Sequence, residues 1–259
     1  MVGNIIDAHL HVNLSERYPL DSLIKHMDAA CIGKGVLIVN TIDELVAIKD
    51  EFSVFDDNRN RLHVVAGLNI HDRDPFGILN YFIGLGCTPD IKIHPRLHGY
   101  VLNDADLLCK SIEQSCSEIK NIVVDAAFMG DQIENHIGIQ LGMILAKCFS
   151  NKNIVIAHAG STRMLECQML TRWIPNIAYD LSLSSSYLIG TSIRFDMVNL
   201  IRYTSNRIMF GSDYPSISFM SAIQNFKTLC EESEVDQLQI ASMFYDNANS
   251  LYFCDCVSG

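Results

Sequence analysis

The chain has 259 residues, 49% of them hydrophobic and 19% charged, with a formal net charge of −11. That balance supports a large apolar core and argues against disorder, and the negative charge disfavours nucleic acid or an anionic membrane as partner. No apolar run reaches the roughly 18 residues of a membrane span, and no basic-then-apolar leader opens the chain, so neither is expected. The nine cysteines are scattered without a CxxC pair. This pattern fits reduced, buried thiols in a cytoplasmic protein. Cys254 and Cys256 could bind metal or oxidise, although a fraying tail accounts for them as well.

Taken in order, the chain alternates between two periodicities. Asn4 to Val12 is a short apolar strand that carries His9 and His11. Leu20 to Ile32 has helical spacing, and Gly35 to Asn40 is a second strand. Ile42 to Phe55 is helical, and Leu62 to Asn69 is a third strand. Pro75 to Leu85 is a helix expected to be capped by Asp74 with Pro75 at its first position. Asp90 to His94, Asn121 to Asp125, Asn153 to His158, Asn176 to Leu181 and Arg207 to Asp213 supply strands four to eight. Helices over 104–119, 135–149, 162–173 and 192–203 separate them, and helical residues run from about Phe219 to the end.

Eight apolar strands, each followed by a helix, predict a parallel sheet covered by helices. Eight such units in this length point to a closed (β/α)8 TIM barrel over an open doubly wound sheet, which would need a glycine-rich nucleotide signature that is missing. No linker divides the chain, so a single domain over 1–259 is expected.

In such a barrel the chemistry sits where the strands end. His9, His11, Lys92, His94, Asp125, His158, Asp180 and Asp213 all stand there. His9 and His11, at i and i+2 on a strand, share one face and form half of a site for zinc or a similar ion. Lys92 and His94 share a face in the same way. Lys92 suits a substrate anion or an enolate, and His94 a ligand or proton-donor role, but an ion pair between Lys92 and Asp125 explains the lysine equally well. Arg96 and Arg163 follow strands four and six in loops at the mouth, where guanidinium groups suit a carboxylate or phosphate. The serines around Ser184, after strand seven, add hydroxyl donors. Together they suggest a small polar or anionic substrate.

Three motifs carry a family resemblance. Asp7-x-His9-x-His11 on strand one, Ala157-His158-Ala159-Gly160 on strand six and Gly211-Ser212-Asp213-Tyr214-Pro215 on strand eight resemble the amidohydrolase superfamily, in its amidohydrolase 2 branch of hydrolases, lactonases, hydratases and decarboxylases. The tail Asn247-Ala248-x-Ser250-Leu251-Tyr252 is similar to the closing helix of that branch, with serine where arginine is usual. The resemblance implies a divalent ion, zinc or alternatively manganese, held by His9, His11 and Asp213. Asp213 would also take a proton from metal-activated water, and His158 would be a further ligand or would polarise the substrate. One departure stands out. The family's histidine ligand on strand five is replaced by Asp125, which either ligates in its place or marks a site with weak or no metal.

The resulting expectation is a metal-dependent hydrolase of a C–N, ester or lactone bond. Asp213 would be its base, with His158 or Lys92 at the oxyanion. A non-oxidative decarboxylase of a small unsaturated or aromatic acid is the alternative enzyme, and a ligand-binding barrel with a degenerate site the alternative outside catalysis. The apolar helix faces and the methionine and cysteine content are compatible with a homo-oligomer.

Overall fold

The computed structural model describes residues 5–115 and 118–254. Asn4, Cys116 and Cys256 therefore lie outside the described residues, and the described cysteines are all free. Eight parallel strands form one sheet in sequence order: β1 (Ile5–Leu10), β2 (Ile32–Val39), β3 (Leu62–Gly67), β4 (Asp90–Ile93), β5 (Asn121–Asp125), β6 (Asn153–Ala157), β7 (Ile177–Asp180) and β8 (Ile208–Met209). The sheet closes because the chain beyond β8 runs along β1. Ala8 donates to the Phe210 carbonyl, Asp213 to that of His9 and His11 to that of Tyr214, at 2.8–2.9 Å. The fold is the expected (β/α)8 barrel.

The strands alternate because each has two different neighbours. Ile6, Ala8, Val36, Ile38, Val65, Val123, Val155, Ala178 and Met209 fill the inside of the barrel. Leu10, Leu37, Val64, Ile91, Val124 and Ile156 pack outward under the helices. The outer layer comprises α1 (Pro19–Ala29), α2 (Ile42–Ile48), α3 (Phe52–Asp57), α4 (Gly77–Gly84), α5 (Pro95–His98), α6 (Ala105–Ser115), α7 (Gly138–Cys148), α8 (Met164–Thr171), α9 (Ser184–Tyr187), α10 (Ile193–Thr204), α11 (Phe219–Glu232) and α12 (Gln237–Ala241). Among the described residues no helix is long and apolar enough to cross a membrane.

Several boundaries differ from the sequence reading. The helix expected from Pro75 begins at Gly77 with Phe76 in the cap position, and Asp74 makes no side-chain cap. Pro75 instead sits in a turn in which Gly77 donates to the Asp74 carbonyl. A 3-10 turn over Lys49–Glu51 divides the second helix. Glu51 is buried there and accepts from the amides of Leu20 and Asp21, which caps α1 from outside. The final helix is interrupted as well, then continues through wide turns over Ser242–Asp246 and Asn249–Phe253. The tail residues of the resemblance close the barrel floor. Asn247 donates to the carbonyls of Ser205 and Ile208, while Ala248 and Tyr252 fill the interior below β8.

Gly138, at the start of α7, lets that helix touch the tip of β5. A Cβ there would stand 2.1 Å from the Asp125 carbonyl oxygen and 2.6 Å from the Ala126 Cα. Backbone cannot yield as a side chain does. Gly138→Ala should therefore destabilise the fold by about 1–3 kcal/mol, read from denaturant unfolding midpoints, whereas alanine at the open Gly84 should not.

Candidate active site

The two strand-one histidines owe their position to a bulge. Asp7 pairs with Gly35 but Leu10 pairs with Leu37, so β1 advances three residues while β2 advances two. Ile6 and Ala8 stay inside the barrel, Leu10 turns outward, and His9 and His11 reach the mouth together. Asp7 anchors the bulge. Its Oδ1 accepts from the amides of His9 and Ser212, both at 3.0 Å, tying β1 to the loop after β8. Burial pushes the Asp7 carboxyl up to about 7, against the opposing hydrogen bonds from Ser212 and His9.

Both histidines are oriented from their Nδ1 side. His9 Nδ1 lies 3.0 Å from Asp180 Oδ2, and His11 Nδ1 lies 3.1 Å from the Ile38 carbonyl. These oxygens only accept, so each Nδ1 carries the proton and each Nε2 keeps its lone pair. The two Nε2 atoms face Asp213 Oδ1 at 3.4 and 3.7 Å. His9, His11 and Asp213 thus form a group of mutually close donors of the kind that holds a divalent ion, with the orienting partners such sites use. Burial, then the nearby Lys92, holds both histidines below the ordinary range, which favours the neutral ligand form. Asp213 reaches this position through a left-handed backbone, φ +66°, which aspartate tolerates better than most residues.

His158 differs. It lies in a turn where His158, Ala159, Gly160 and Ser161 all have positive φ, and a Cβ on Gly160 would stand 2.8 Å from that of Cys167. Its Nδ1 faces the Ser182 carbonyl and its Nε2 faces Asp125 Oδ2, both at 3.1 Å. With an acceptor on each side, both nitrogens carry protons. Burial opposes that charge, but the Asp125 hydrogen bond and carboxylate push His158 up to about 9. His9, His158 and Asp180 form a second close group. Its members are also hydrogen-bonded: Asp180 meets the His9 ring and accepts from the His158 amide.

Asp125 stands outside both groups. Its Oδ1 accepts from Arg96 at 3.2 Å, and its Oδ2 meets His158 and, at 3.5 Å, His94. Burial alone would raise this carboxyl; His94, His158 and Lys92 outweigh it and hold Asp125 well below the usual carboxylate range. His94 Nδ1 accepts from the Leu97 amide at the start of α5, so its N–H points towards Asp125. Burial lowers His94 to about 3 although Asp125 opposes the shift. Lys92 is 1% exposed, and its Nζ sits 3.0 Å from His9 Nε2. It contacts His9, and the guanidinium partner of Asp125 is Arg96.

Two sequence assignments are corrected. Arg163 is spent on Glu166 through two hydrogen bonds and lies over the Phe128 ring. Ser184 is buried and donates to the His158 carbonyl, so its hydroxyl braces the turn after β6. Asp180 is the residue the sequence reading undervalued. Its Oδ2 holds His9, while its Oδ1 accepts from the amides of His158 and Ser182 and from the Ser182 hydroxyl. Its strand-end position was the available signal, the same one that marked Asp125.

No protein-family model matches the chain, and no curated protein matches it in sequence. Solved structures do match. An uncharacterised TIM-barrel protein of Bordetella bronchiseptica superposes with a TM-score of 0.69 at 16% identity, over 96% of this chain and 98% of its own. A proposed 2-pyrone-4,6-dicarboxylic acid hydrolase of Pseudomonas putida gives 0.64 at 20% identity, over 95% and 96%. An N-isopropylammelide isopropylaminohydrolase of Burkholderia multivorans gives 0.56 at 9% identity, over 95% and 73%. The chain shares the TIM-barrel fold of these proteins. Within that fold, the clustering of charge at the strand ends is what this chain's own geometry adds.

The His158–Asp125 pair makes stability depend on pH. A histidine raised from 6.5 to about 9 contributes stability that is complete below pH 6.5 and lost as pH rises through about 9. Asp125→Asn removes that contribution. The gap in denaturation midpoint between wild type and variant should be widest near pH 6 and should shrink by pH 9.5.

Proposed function

We propose that the chain is a hydrolase that uses a divalent ion, zinc or manganese, to cleave a C–N, ester or lactone bond in a small polar molecule. The observation that carries this reading is the convergence of the His9 and His11 lone pairs with Asp213 Oδ1 at the barrel mouth. An ion held there would polarise a bound carbonyl and lower the pKa of water towards 7. The chain's own groups do the rest. Asp213, the least constrained carboxylate of the site, takes the proton of the attacking water. Lys92 supports the developing oxyanion, since its Nζ has donors beyond the one turned to His9, whereas both N–H groups of His158 are already engaged. His158, Asp125 and Arg96 form the charged wall that fixes the mouth. The likeness to hydrolases of this fold supports the reaction class. The same reading makes the protein a cytoplasmic one-domain enzyme, with neither nucleic acid nor membrane as its partner.

A second reading follows from Lys92. Its Nζ occupies the His9 Nε2 lone pair, and that lone pair can serve the lysine or an ion, but not both at once. If the lysine keeps it, Lys92 supplies the positive charge and the site works without metal.

Elemental analysis of the purified protein separates the two. The first reading predicts near-stoichiometric zinc or manganese, lost in His9→Ala and kept in Asp125→Ala. Protein that stays metal-free after incubation with both ions, yet hydrolyses its substrate, supports the second. On a panel of small esters, lactones and amides, Asp213→Asn should lower kcat by about 10²–10⁴-fold with little change in KM. An unaffected kcat would remove Asp213 as the base.

A further inference from the structure

Two neighbouring helices on the outside of the barrel present an apolar face to solvent. α8 follows β6 and α10 follows β7, which pair in the sheet, and the two helices pack side by side. Leu165 and Met169 on α8, and Trp173 just past its end, stand at i, i+4 and i+8. Phe195, Asn199 and Tyr203 repeat that spacing on α10. Residues so spaced share one side of a helix. Here it is the side away from the core, since Cys167 and Thr171 of α8 and Met197 and Ile201 of α10 are the buried ones. Trp173 is 80% exposed, Phe195 76% and Tyr203 70%, and Leu165 and Met169 are exposed by nearly half. Asn199 donates to Gln168 Oε1 at 2.7 Å, which joins the two stripes at their middle.

The size of this face is that of an interface. A large aromatic side chain carries about 150–250 Å² of surface, so the five apolar residues offer roughly 600–700 Å² at these exposures. The largest apolar patch of a typical monomer is about 300–600 Å², and a stable contact between two proteins takes about 800 Å² from each. The face exceeds the first figure and, with its rim, reaches the second. Its charge suits a second copy of the same chain. At a net charge of −11, two copies repel over most of their surface. Around these stripes the charges cancel. Arg163 pairs with Glu166, Arg194 with Glu232 and Arg202 with Glu234. Asp196 offsets Arg172, whose guanidinium lies 4.6 Å over the Trp173 ring. An anionic membrane or a nucleic acid would need an excess of free cations, and this face has none to spare.

We infer that this face joins two copies of the chain in a two-fold dimer. A two-fold contact uses one patch twice, so the patch must complement itself. Both stripes run from the mouth end of the barrel, at Leu165 and Phe195, to its floor, at Trp173 and Tyr203. An axis through the middle, near Met169 and Asn199, sets the aromatic floor end of each copy on the mouth end of the other. The helices then cross the contact antiparallel. Asn199, the polar residue at the centre, brings its own hydrogen-bond partner with it. The face lies outside the barrel, so the inference does not rest on the hydrolytic reading.

Sedimentation of the full chain at micromolar concentration should give twice the 29.0 kDa chain mass. Trp173→Glu/Phe195→Glu should weaken the dimer by at least about thirtyfold, which leaves a monomer, with an unchanged circular dichroism spectrum. Trp173 is the chain's sole tryptophan, so its fluorescence reports on this face in the unsubstituted protein. On dilution, its emission should shift to the red and its quenching by iodide should rise together with dissociation. A monomer at micromolar concentration would overturn the inference. So would a dimer that survives the double substitution, or one in which iodide quenches Trp173 as freely as in the diluted monomer, because either places the contact elsewhere. If circular dichroism shows the variant unfolded, the dilution series on the unsubstituted protein decides alone.

Discussion

The site depends on one buried carboxylate. Asp180 is fully enclosed at the end of β7, where burial alone would neutralise it, yet His9, His158 and Ser182 keep it below the ordinary carboxylate range. One of its oxygens holds the His9 ring by Nδ1, and the other holds the backbone of the strand-six turn at His158. The group therefore sets the tautomer of His9 and the entry of the left-handed turn that aims His158. A buried charge of this kind is stable only while its partners remain, and breaking such a pair typically costs about 3–5 kcal/mol. Motifs on strands one and six are thus coupled through a strand-seven residue that belongs to none of the three recognisable patterns.

Around that clamp the mouth divides into two electrostatic halves. On one side His9 and His11 are neutral and present lone pairs beside Asp213. On the other, His158 and Arg96 surround Asp125 with donors. Asp125 takes up a position where a histidine ligand is expected from the resemblance, but its oxygens are turned away from the first half. The substitution therefore changes what the fifth strand does: it holds cationic neighbours in place. Lys92 sits at the seam, against the His9 lone pair.

The strand-and-helix alternation, the eightfold count and the location of the ionisable residues at the strand ends were all readable from the chain. Local periodicity carries that information, because an inward residue and an outward one meet different solvents and must differ in kind. His9, His11 and Asp213 were readable for the same reason. Each is a polar group closing an otherwise apolar strand, where burial without a role is unfavourable.

What the chain alone did not decide is which partner each group takes. The pairing of Asp125 with Arg96 while Lys92 turns to His9, the loss of Arg163 to Glu166 and the turning of Ser184 to the His158 carbonyl all depend on distances between residues 3 to 83 positions apart. The role of Asp180, 171 positions from His9, depends on barrel closure in the same way. Hydrogen bonds are short and directional, so partner choice changes over an ångström or less. Sequence pattern determined that these groups meet at one mouth; only the tertiary packing, through a bulge in β1 and a run of left-handed residues after β6, determined what each lone pair faces there.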